Sequence, residues 1–174
     1  MKFAYADPPY MGQAKKHYGS DAEVNHLELL RDMNEDFPDG WALSCSNPSL
    51  FQIIPMINEL DITGCRIGIW IKPFCSFKPN VNPAYAWEPI IFKGGRKRGR
   101  DIPTLRDWES CNITLKRGLS GVKPDKICYW IFDWWNVKAN DQIIDLFPGS
   151  GAVSIAFDKY LLNRKRDVSQ NTID

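Results

Sequence analysis

The chain has few of the residues that disulfide-rich, zinc-binding or membrane-spanning proteins require. Its 174 residues include only two histidines and an odd number of cysteines, none of them in a Cys-x-x-Cys pair. Neither a disulfide framework nor a metal site is indicated, so we expect a reducing, cytoplasmic setting. We interpret the cysteines as small buried side chains: Cys45, Cys65, Cys75, Cys111 and Cys128. No signal peptide opens the sequence, and no apolar run reaches the length of a membrane span.

Charge of one sign is not in excess either, because the formal net charge is only +1. Any attraction to nucleic acid must therefore come from a local cluster and not from the field of the whole protein. The hydrophobic fraction is 44% and the aromatic fraction 13%, which excludes a disordered chain. The length is sufficient for a hydrophobic core, and we interpret residues 1–174 as a single domain.

Three apolar runs in the first half of the chain predict strands, at residues 3–6, 41–46 and 66–72. The third run is apolar on both faces, which favours an interior place in a sheet. Helical patterns lie between the runs, and this alternation predicts an α/β fold with a mostly parallel sheet and helices on both faces. Ligands of such sheets bind beyond the carboxyl ends of the strands. That rim would carry Asp7, residues 46–48 and residues 72–73.

The helices of the first half begin and end at recognisable residues. Ser20-x-x-Glu23 is a capping box, and the helix that it predicts ends before Pro38. An Asn-Pro pair that ends at Pro48 predicts the start of a second helix. Pro55 is expected to kink or split this second helix, because proline removes a helical hydrogen bond.

The middle of the chain carries its one local charge cluster. Residues 87–92 form an apolar run, and Pro89 within it predicts an edge or bulged strand. Five cations interleaved with glycines follow directly and predict a phosphate-binding arm. They are Lys93, Arg96, Lys97, Arg98 and Arg100. The alternative for a charge cluster is a solvated face without a ligand.

The last third of the chain predicts a helix, a strand, a glycine turn and a further helix. Pro124 stands at the first position of the earlier helix, and four apolar residues at helical spacing predict its core face: Ile127, Trp130, Ile131 and Trp134. A strand at residues 142–147 leads into Gly149 and Gly151, where the backbone can approach a ligand closely. A helix at residues 152–162 follows, and its start offers free N–H groups. The turn lacks the third glycine and the lysine of dinucleotide and phosphate-binding loops.

The strand tip at Asp7 suits a flat base with an exocyclic amino group. Pro8 and Pro9 hold φ near about −65° and lack donors, so the chain leaves the sheet in one defined direction. The Asp7 carboxylate and the Pro8 carbonyl can each accept one N–H of the amine, which frees the nitrogen lone pair for attack. The ring of Tyr10 can stack on the base.

Asp-Pro-Pro-Tyr after an apolar strand resembles the catalytic motif of S-adenosylmethionine-dependent amino-methyltransferases, in the form typical of adenine N6 enzymes. The later Asp-x-Phe-x-Gly-x-Gly resembles their cofactor-binding motif, and the Lys-Pro pair before it resembles the companion motif. Catalytic motif first and cofactor motif last is the circularly permuted order of the beta group of DNA amino-methyltransferases. The RNA adenine-methyltransferase family is similar in these motifs.

This resemblance implies a role for each matching residue. Asp7, Pro8, Pro9 and Tyr10 would hold the target amine. The residues implied at the cofactor are Asp145, Phe147, Gly149, Ser150 and Gly151, with Lys123 near its carboxylate. Residues 94–118 would stand in place of the target-recognition region, and such a short insert implies modest sequence specificity.

The chain departs from the family pattern after the glycine turn. The family continues into another strand whose terminal acid binds the cofactor ribose, whereas residues 163–166 are too polar for a buried strand. Asp167 lies at about the right distance from the glycines, but we do not expect it to serve. The ribose is then held otherwise, the cofactor binds weakly, or a homodimer or partner subunit completes the pocket.

We therefore predict a compact, permuted methyltransferase that transfers a methyl group from S-adenosylmethionine to adenine N6 in DNA, in a phage or bacterial setting. The base must leave the duplex, or the substrate must be single-stranded. Two alternatives remain open: the same reaction on RNA, and a catalytically silent nucleic-acid-binding subunit of the same fold. Cytosine N4 is disfavoured, because those enzymes more often carry Ser in place of Asp7.

Overall fold

A computed structural model describes residues 1–9, 23–74, 79–114 and 122–170 of the chain. Within these ranges the strands are β1 Lys2–Ala6, β2 Gly40–Ser44, β3 Arg66–Ile71, β4 Trp87–Gly94, β5 Trp108–Ser110 and β6 Gln142–Asp145. The helices are α1 His26–Asp36, α2 Leu50–Glu59, α3 Asp125–Trp135 and α4 Ala152–Gln170.

The strands form one sheet in the order β5-β3-β4-β2-β1-β6. Strand β1 runs parallel to both β2 and β6, and β3 runs parallel to β5. Strand β4 is antiparallel to its two neighbours, β2 and β3. Five strands therefore point the same way and one points back, which confirms the predicted mostly parallel α/β sheet.

Each face of the sheet is covered by a pair of helices. Alternate side chains of β1 point to opposite faces, so they pack against different pairs. Phe3 and Tyr5 belong to a core cluster with α3 and α4. Ala4 and Ala6 belong to a second cluster with α1 and α2. The sheet is thus a middle layer with helices on both faces, as the strand and helix alternation predicted.

The predicted core face of α3 is confirmed. Ile127, Trp130 and Ile131 are buried, and Trp134 is half-buried with its ring stacked on Phe92 at a centroid distance of 4.0 Å. Stacked and edge-to-face aromatic pairs of this kind add about 0.5–1.5 kcal/mol each beyond the area that they bury. Helix α3 begins at Asp125 with Pro124 at the N-cap, one residue later than predicted.

The prediction that Pro89 places its run at a sheet edge or in a bulge is wrong, because β4 lies in the sheet interior between β2 and β3. The last residue pair between β2 and β4 is Ser44 with Ile90. Pro89 stands opposite Cys45, one residue past this pair, so its missing N–H removes a hydrogen bond only at the end of the ladder. Its carbonyl still accepts a hydrogen bond of 3.2 Å from the Cys45 N–H.

The predicted helix starts of the first half are also corrected. Helix α1 begins at His26, and its cap is Asn25, whose side chain accepts hydrogen bonds from two backbone N–H groups. Glu23 precedes this cap, and Ser20 lies outside the described residues, so the capping box does not start the helix. Asparagine is one of the most favourable N-cap residues, which accounts for the start of α1 at His26.

Helix α2 begins at Leu50, after a turn at residues 47–49 where the Asn-Pro pair was expected to start it. Backbone bonds of the i to i+3 type run through this turn, so the chain winds tightly before the helix proper. Pro55 lies inside α2 without splitting it. Phe51, whose carbonyl loses its helical donor to Pro55, is 83% exposed, so water can satisfy that carbonyl.

Part of the predicted insert belongs to the sheet. Strand β5, which was not predicted, pairs with β3 and gives β3 the interior position expected of it. Residues 115–118 lie outside the described ranges. Helix α4 continues to Gln170, eight residues beyond its predicted end, and it includes the backbone of Asp167. No strand therefore follows the glycine turn within the described part of the chain.

The described cysteines are free thiols: Cys45 and Cys128 are buried, and Cys65 and Cys111 are half-buried. Cys75 lies outside the described residues. Among the residues that the structure describes, no group of three or more His, Cys, Asp or Glu side chains could hold a metal ion. None of the helices in these ranges combines the length and the apolar character that a membrane span needs.

Candidate active site

The candidate catalytic carboxylate and the glycine turn lie at one rim of the sheet. Strands β1 and β6 are parallel neighbours in which Tyr5 pairs with Asp145. The Leu146 N–H donates to the Tyr5 carbonyl at 2.9 Å, which ties the two strand ends together. Asp7 follows β1 and Gly149 follows β6 within a few residues. The two segments, far apart in the sequence, are therefore neighbours as predicted.

Asp7 is held at the rim by its surroundings. Its side chain is 23% exposed, and its Oδ1 lies 3.2 Å from the Lys123 Nζ. Burial raises the pKa of Asp7, while the Lys123 ammonium acts in the opposite direction. Pro8 is buried and Pro9 is half-buried, consistent with a rigid exit from the sheet. Tyr10, the predicted stacking residue, lies outside the described residues.

Glu88 is a member of this site that the sequence analysis missed. It is the second residue of β4, it is only 4% exposed, and it forms ion pairs with two lysines. Its Oε1 contacts the Lys123 Nζ, and its Oε2 lies 2.7 Å from the Lys72 Nζ. Burial works to raise the pKa of Glu88, but the two ammonium groups outweigh it and lower the pKa to about 2. A lone acid inside an apolar strand was the available signal, since such an acid needs a partner.

Lys123 lies between the two carboxylates. It precedes α3, is 6% exposed, and contacts both Glu88 and Asp7. A buried ammonium requires anionic partners, and these two supply them. The structure thus brings Lys123 beside Asp7, and its contact with a cofactor carboxylate remains a prediction.

Two further hydroxyl pairs line the same end of the sheet. The Tyr5 and Ser44 hydroxyls lie 2.7 Å apart and are buried, and burial raises the pKa of Tyr5 well above its usual range. Ser46 and Ser49 hydroxyls lie 2.6 Å apart at the turn before α2. In each pair the two hydroxyls hydrogen-bond each other, so these polar side chains beneath the rim have partners within the protein.

The glycine turn has the open geometry that a bound ligand needs. The Asp145 Oδ1 accepts a hydrogen bond of 3.1 Å from the Phe147 N–H, and burial raises the pKa of Asp145. Gly149 and Gly151 have φ of 45° and 71°, which glycine adopts at no steric cost. A side-chain carbon added at Gly151 would meet nothing within 4 Å. Ser150 completes the turn, and α4 begins directly after it.

The basic arm lies at the opposite end of the sheet from Asp7. Gly94 pairs with Gly40, the first residue of β2, whereas Asp7 follows the last residue of the parallel strand β1. A cavity of about 650 Å³ opens at this far end, and its wall includes four arginines, Arg66, Arg96, Arg98 and Arg100. The nucleic-acid-binding role of the arm remains a prediction, and its distance from the candidate catalytic residue is a finding.

Three of the five cations of the arm have partners within the protein. Arg96 forms an ion pair with buried Asp141, with its Nη2 2.7 Å from the Asp141 Oδ1. Arg98 donates to two backbone carbonyls, and Lys93 donates to the Asn34 side chain. Lys97 and Arg100 are exposed and have no hydrogen-bond or ion-pair partner in the described part of the chain.

The solved structures that are similar to this chain include two of M1.HpyAVI. A crystal structure of the M1.HpyAVI-SAM complex matches with a TM-score of 0.62 and 17% identity, over 91% of this chain and 77% of that chain. A crystal structure of M1.HpyAVI matches with a TM-score of 0.58 and 16% identity, over 91% of this chain and 75% of that chain. No protein-family model and no curated protein sequence matches. At this identity the likeness establishes the fold, which is the Rossmann-like α/β fold of methyltransferases.

Proposed function

We propose that the protein transfers a methyl group from S-adenosylmethionine to the exocyclic N6 amine of adenine in DNA. The observation that carries this proposal is the juxtaposition of Asp7 with the glycine turn at one rim of the sheet. Support comes from the likeness to M1.HpyAVI, whose structure was solved in complex with SAM. The sequence order of the two motifs further supports a circularly permuted enzyme of the beta-group type.

The catalytic work of the protein is mainly positioning. S-adenosylmethionine supplies an electrophilic methyl carbon on its sulfonium sulfur. Asp7 would accept one N–H of the target amine and the Pro8 carbonyl the other, which frees the nitrogen lone pair for attack on the methyl carbon; the N–C bond would form as the C–S bond breaks, with S-adenosylhomocysteine as the leaving group and one proton released from nitrogen. Tyr10 stacks on the base, which has left the duplex or comes from a single strand. Holding the reacting atoms in line can contribute several kcal/mol, on the order of 7–11 in well-oriented systems.

The open turn after β6 fits the cofactor. Gly149 and Gly151 leave space above the backbone, and the start of α4 supplies N–H groups for polar atoms. Asp145, Phe147 and Ser150 flank that space, and Lys123 lies close enough to the rim to meet a carboxylate there. Residues 163–170, where the family pattern has another strand, belong to helix α4, so the ribose is held otherwise, the cofactor binds weakly, or a homodimer or partner subunit completes the pocket.

This last observation favours a second candidate, a catalytically silent nucleic-acid-binding subunit of the same fold. The same reaction on RNA is the nearest alternative, because both substrates offer adenine and phosphates. A single experiment separates the three candidates. Purified protein is incubated with methyl-labelled S-adenosylmethionine and either unmethylated DNA or RNA, and cofactor binding is measured in parallel by calorimetry.

We expect transfer to DNA, and we expect Asp7→Ala to reduce it at least about 100-fold because the amine loses a charged acceptor. Asp7→Asn is the matched control: it keeps the size and one acceptor oxygen but removes the charge. Cofactor binding should survive both substitutions. Transfer to RNA alone would move the proposal to RNA. If millimolar S-adenosylmethionine neither binds nor reacts, the silent-subunit candidate replaces it.

A further inference from the structure

Four charged side chains of alternating sign form a chain across the rim: Lys72, Glu88, Lys123 and Asp7. The links are Lys72 Nζ to Glu88 Oε2 at 2.7 Å, Glu88 Oε1 to Lys123 Nζ, and Lys123 Nζ to Asp7 Oδ1 at 3.2 Å. The side chains of Glu88 and Lys123 are 5% and 6% exposed, whereas those of Lys72 and Asp7 are 22% and 23% exposed. The two buried members of the chain therefore lie between its two partly exposed ends.

We propose that Glu88 is a positioning residue, which holds the Lys123 ammonium against Asp7 so that Asp7 stays ionised while it receives the target amine. The proposal deepens the proposed function and rests on it for the role of Asp7. Glu88 itself does not touch the substrate, because Lys123 lies between it and Asp7.

The buried charges at the rim need one another, because burying a charge is unfavourable. Removing a charged group from water is unfavourable unless an opposite charge lies beside it. Asp7 is partly desolvated, and Lys123 is the cation that opposes this effect. Lys123 is itself buried, so its ammonium form needs an anion other than the one that must remain available to the substrate. Glu88 is that anion, and Lys72 holds its second oxygen.

The ring of Trp70 lies beside both lysines of this chain of charges. The Lys72 and Lys123 Nζ atoms lie 4.6 Å and 5.3 Å from the ring centroid of Trp70, which pairs with Glu88 across β3 and β4. The Trp70 Nε1 donates to the Cys111 carbonyl at 2.9 Å, so the ring is fixed. Cation–π contact favours the charged form of both lysines, although its contribution is smaller than that of the Glu88 carboxylate.

Several titratable groups face Asp7 and enter its pH dependence. Lys123 lowers the pKa of Asp7, whereas the carboxylates of Glu88 on β4 and Asp145 on β6 raise it directly. Tyr5 on β1, Cys45 after β2 and Cys128 on α3 also interact with the cluster. Burial raises the pKa of Cys45 and of Cys128 to about 12, so neither thiol changes charge in the range where Asp7 does.

The test measures the titration of Asp7 directly, without substrate or cofactor. The carboxyl carbons of aspartate are labelled with ¹³C, and the Asp7 signal is assigned by its absence in Asp7→Asn. We expect Lys123→Gln to raise the titration midpoint of Asp7 by about one pH unit or more in the wild-type background, since an opposite charge within ~4–6 Å shifts a carboxyl by that amount. In the Glu88→Gln background, where the ammonium is no longer held against Asp7, the same substitution should raise the midpoint clearly less. Comparing the two backgrounds cancels the direct effect of the Glu88 charge, which by itself raises the pKa of Asp7. In Lys123→Gln the acidic limb of kcat/KM for methyl transfer should move to higher pH together with the Asp7 midpoint.

Glu109→Gln is the matched control, because Glu109 is level with Glu88 in the sheet but lies two strands away on β5, where it pairs with Lys126; in this background Lys123→Gln should shift the Asp7 midpoint as it does in the wild type. Glu88→Asp keeps the charge and should retain more of the Lys123→Gln shift than Glu88→Gln does. If Glu88→Gln does not fold, Glu88→Asp serves as the background and should still reduce the shift, because its shorter side chain holds Lys123 less closely. Equal shifts in the wild-type and Glu88 backgrounds overturn the inference. Absence of methyl transfer by the wild-type protein, with the expected difference between the backgrounds, overturns only the proposed function.

Discussion

Asp141 lies far from the rim, and its neighbours strongly stabilise its ionised form. Its side chain is fully buried, and it accepts hydrogen bonds from the Arg96 guanidinium and from the Lys138 N–H at 2.7 Å. The hydrogen bond with Arg96, which outweighs the effect of burial, holds the pKa of Asp141 well below its usual range. Asp141 therefore joins the basic arm to the start of β6.

We expect Asp141→Asn to lower the free energy of unfolding at pH 7 by on the order of 3 kcal/mol, because it leaves a partly buried Arg96 without its anion. A lowered pKa stabilises the folded state above the usual carboxyl range and loses that contribution on acidification. Wild-type stability should therefore fall below about pH 4, and the variant should fall less steeply. Urea unfolding at several pH values measures both effects. Asp158→Asn, at an exposed position of α4, is the control.

Among the single residues of the candidate site, some can be predicted from the sequence and others cannot. Asp7, Gly149 and Gly151 stand in local motifs that resemble those of a known family, so they could be named as candidates from the sequence, and the parallel pairing of β1 and β6 could be inferred from the α/β pattern. Glu88 has no local motif. Its importance comes from Lys72 and Lys123, which approach it only after the sheet forms, and no periodicity in the sequence encodes that approach.

Elements were predicted well where their pattern was strong and less well where proline was involved. The aromatic face of α3 was identified by its helical spacing, because the same side chains that favour the helix also pack it. Pro89 suggested a sheet edge because a central strand normally needs every N–H. The actual position depends on where the β2 to β4 ladder ends, at Ser44 and Ile90, and this is a property of two strands and not of one.

The close approach of β2 and β4 gives a test at the scale of elements. Gly94 has φ 72°, and a side-chain carbon there would lie 2.5 Å from the Asp39 carbonyl oxygen. Gly64 has a similar φ of 78° but nothing within 4 Å. We expect Gly64→Ala to cost about 1 kcal/mol of backbone strain, and Gly94→Ala to cost at least about 2 kcal/mol more because backbone must move. Equal losses in thermal unfolding would contradict the close approach.

At the scale of the whole molecule, the two ends of the sheet have different chemistry. The rim after β1 carries the alternating charge chain and the glycine turn, and the far end carries the arginine-lined cavity. The cluster of cations was evident from the sequence. Its position was not, because β4 was assigned to an edge and its antiparallel direction, which carries the arm away from Asp7, was not predicted.

The arm should divide into structural and exposed cations. Neutralising exposed Lys97 and Arg100 to Gln should leave thermal stability unchanged and reduce the slope of log affinity for DNA against log salt by about 2, one for each lost phosphate contact. Arg96→Gln should instead lower the unfolding temperature, because Arg96 is committed to Asp141. Fluorescence anisotropy over a salt series and thermal unfolding measure the two effects. An unchanged slope in the double variant removes the arm from DNA binding.

The length of β4 sets a minimum size for any ligand that uses both ends of the molecule. The strand runs from Glu88 near the rim to Gly94 at the arm, and a rise of about 3.4 Å per residue separates these positions by about 20 Å. Duplex DNA advances about 3.4 Å per base pair. A fragment shorter than about six base pairs can therefore contact the rim near Asp7 or the basic arm, but it cannot reach both at once.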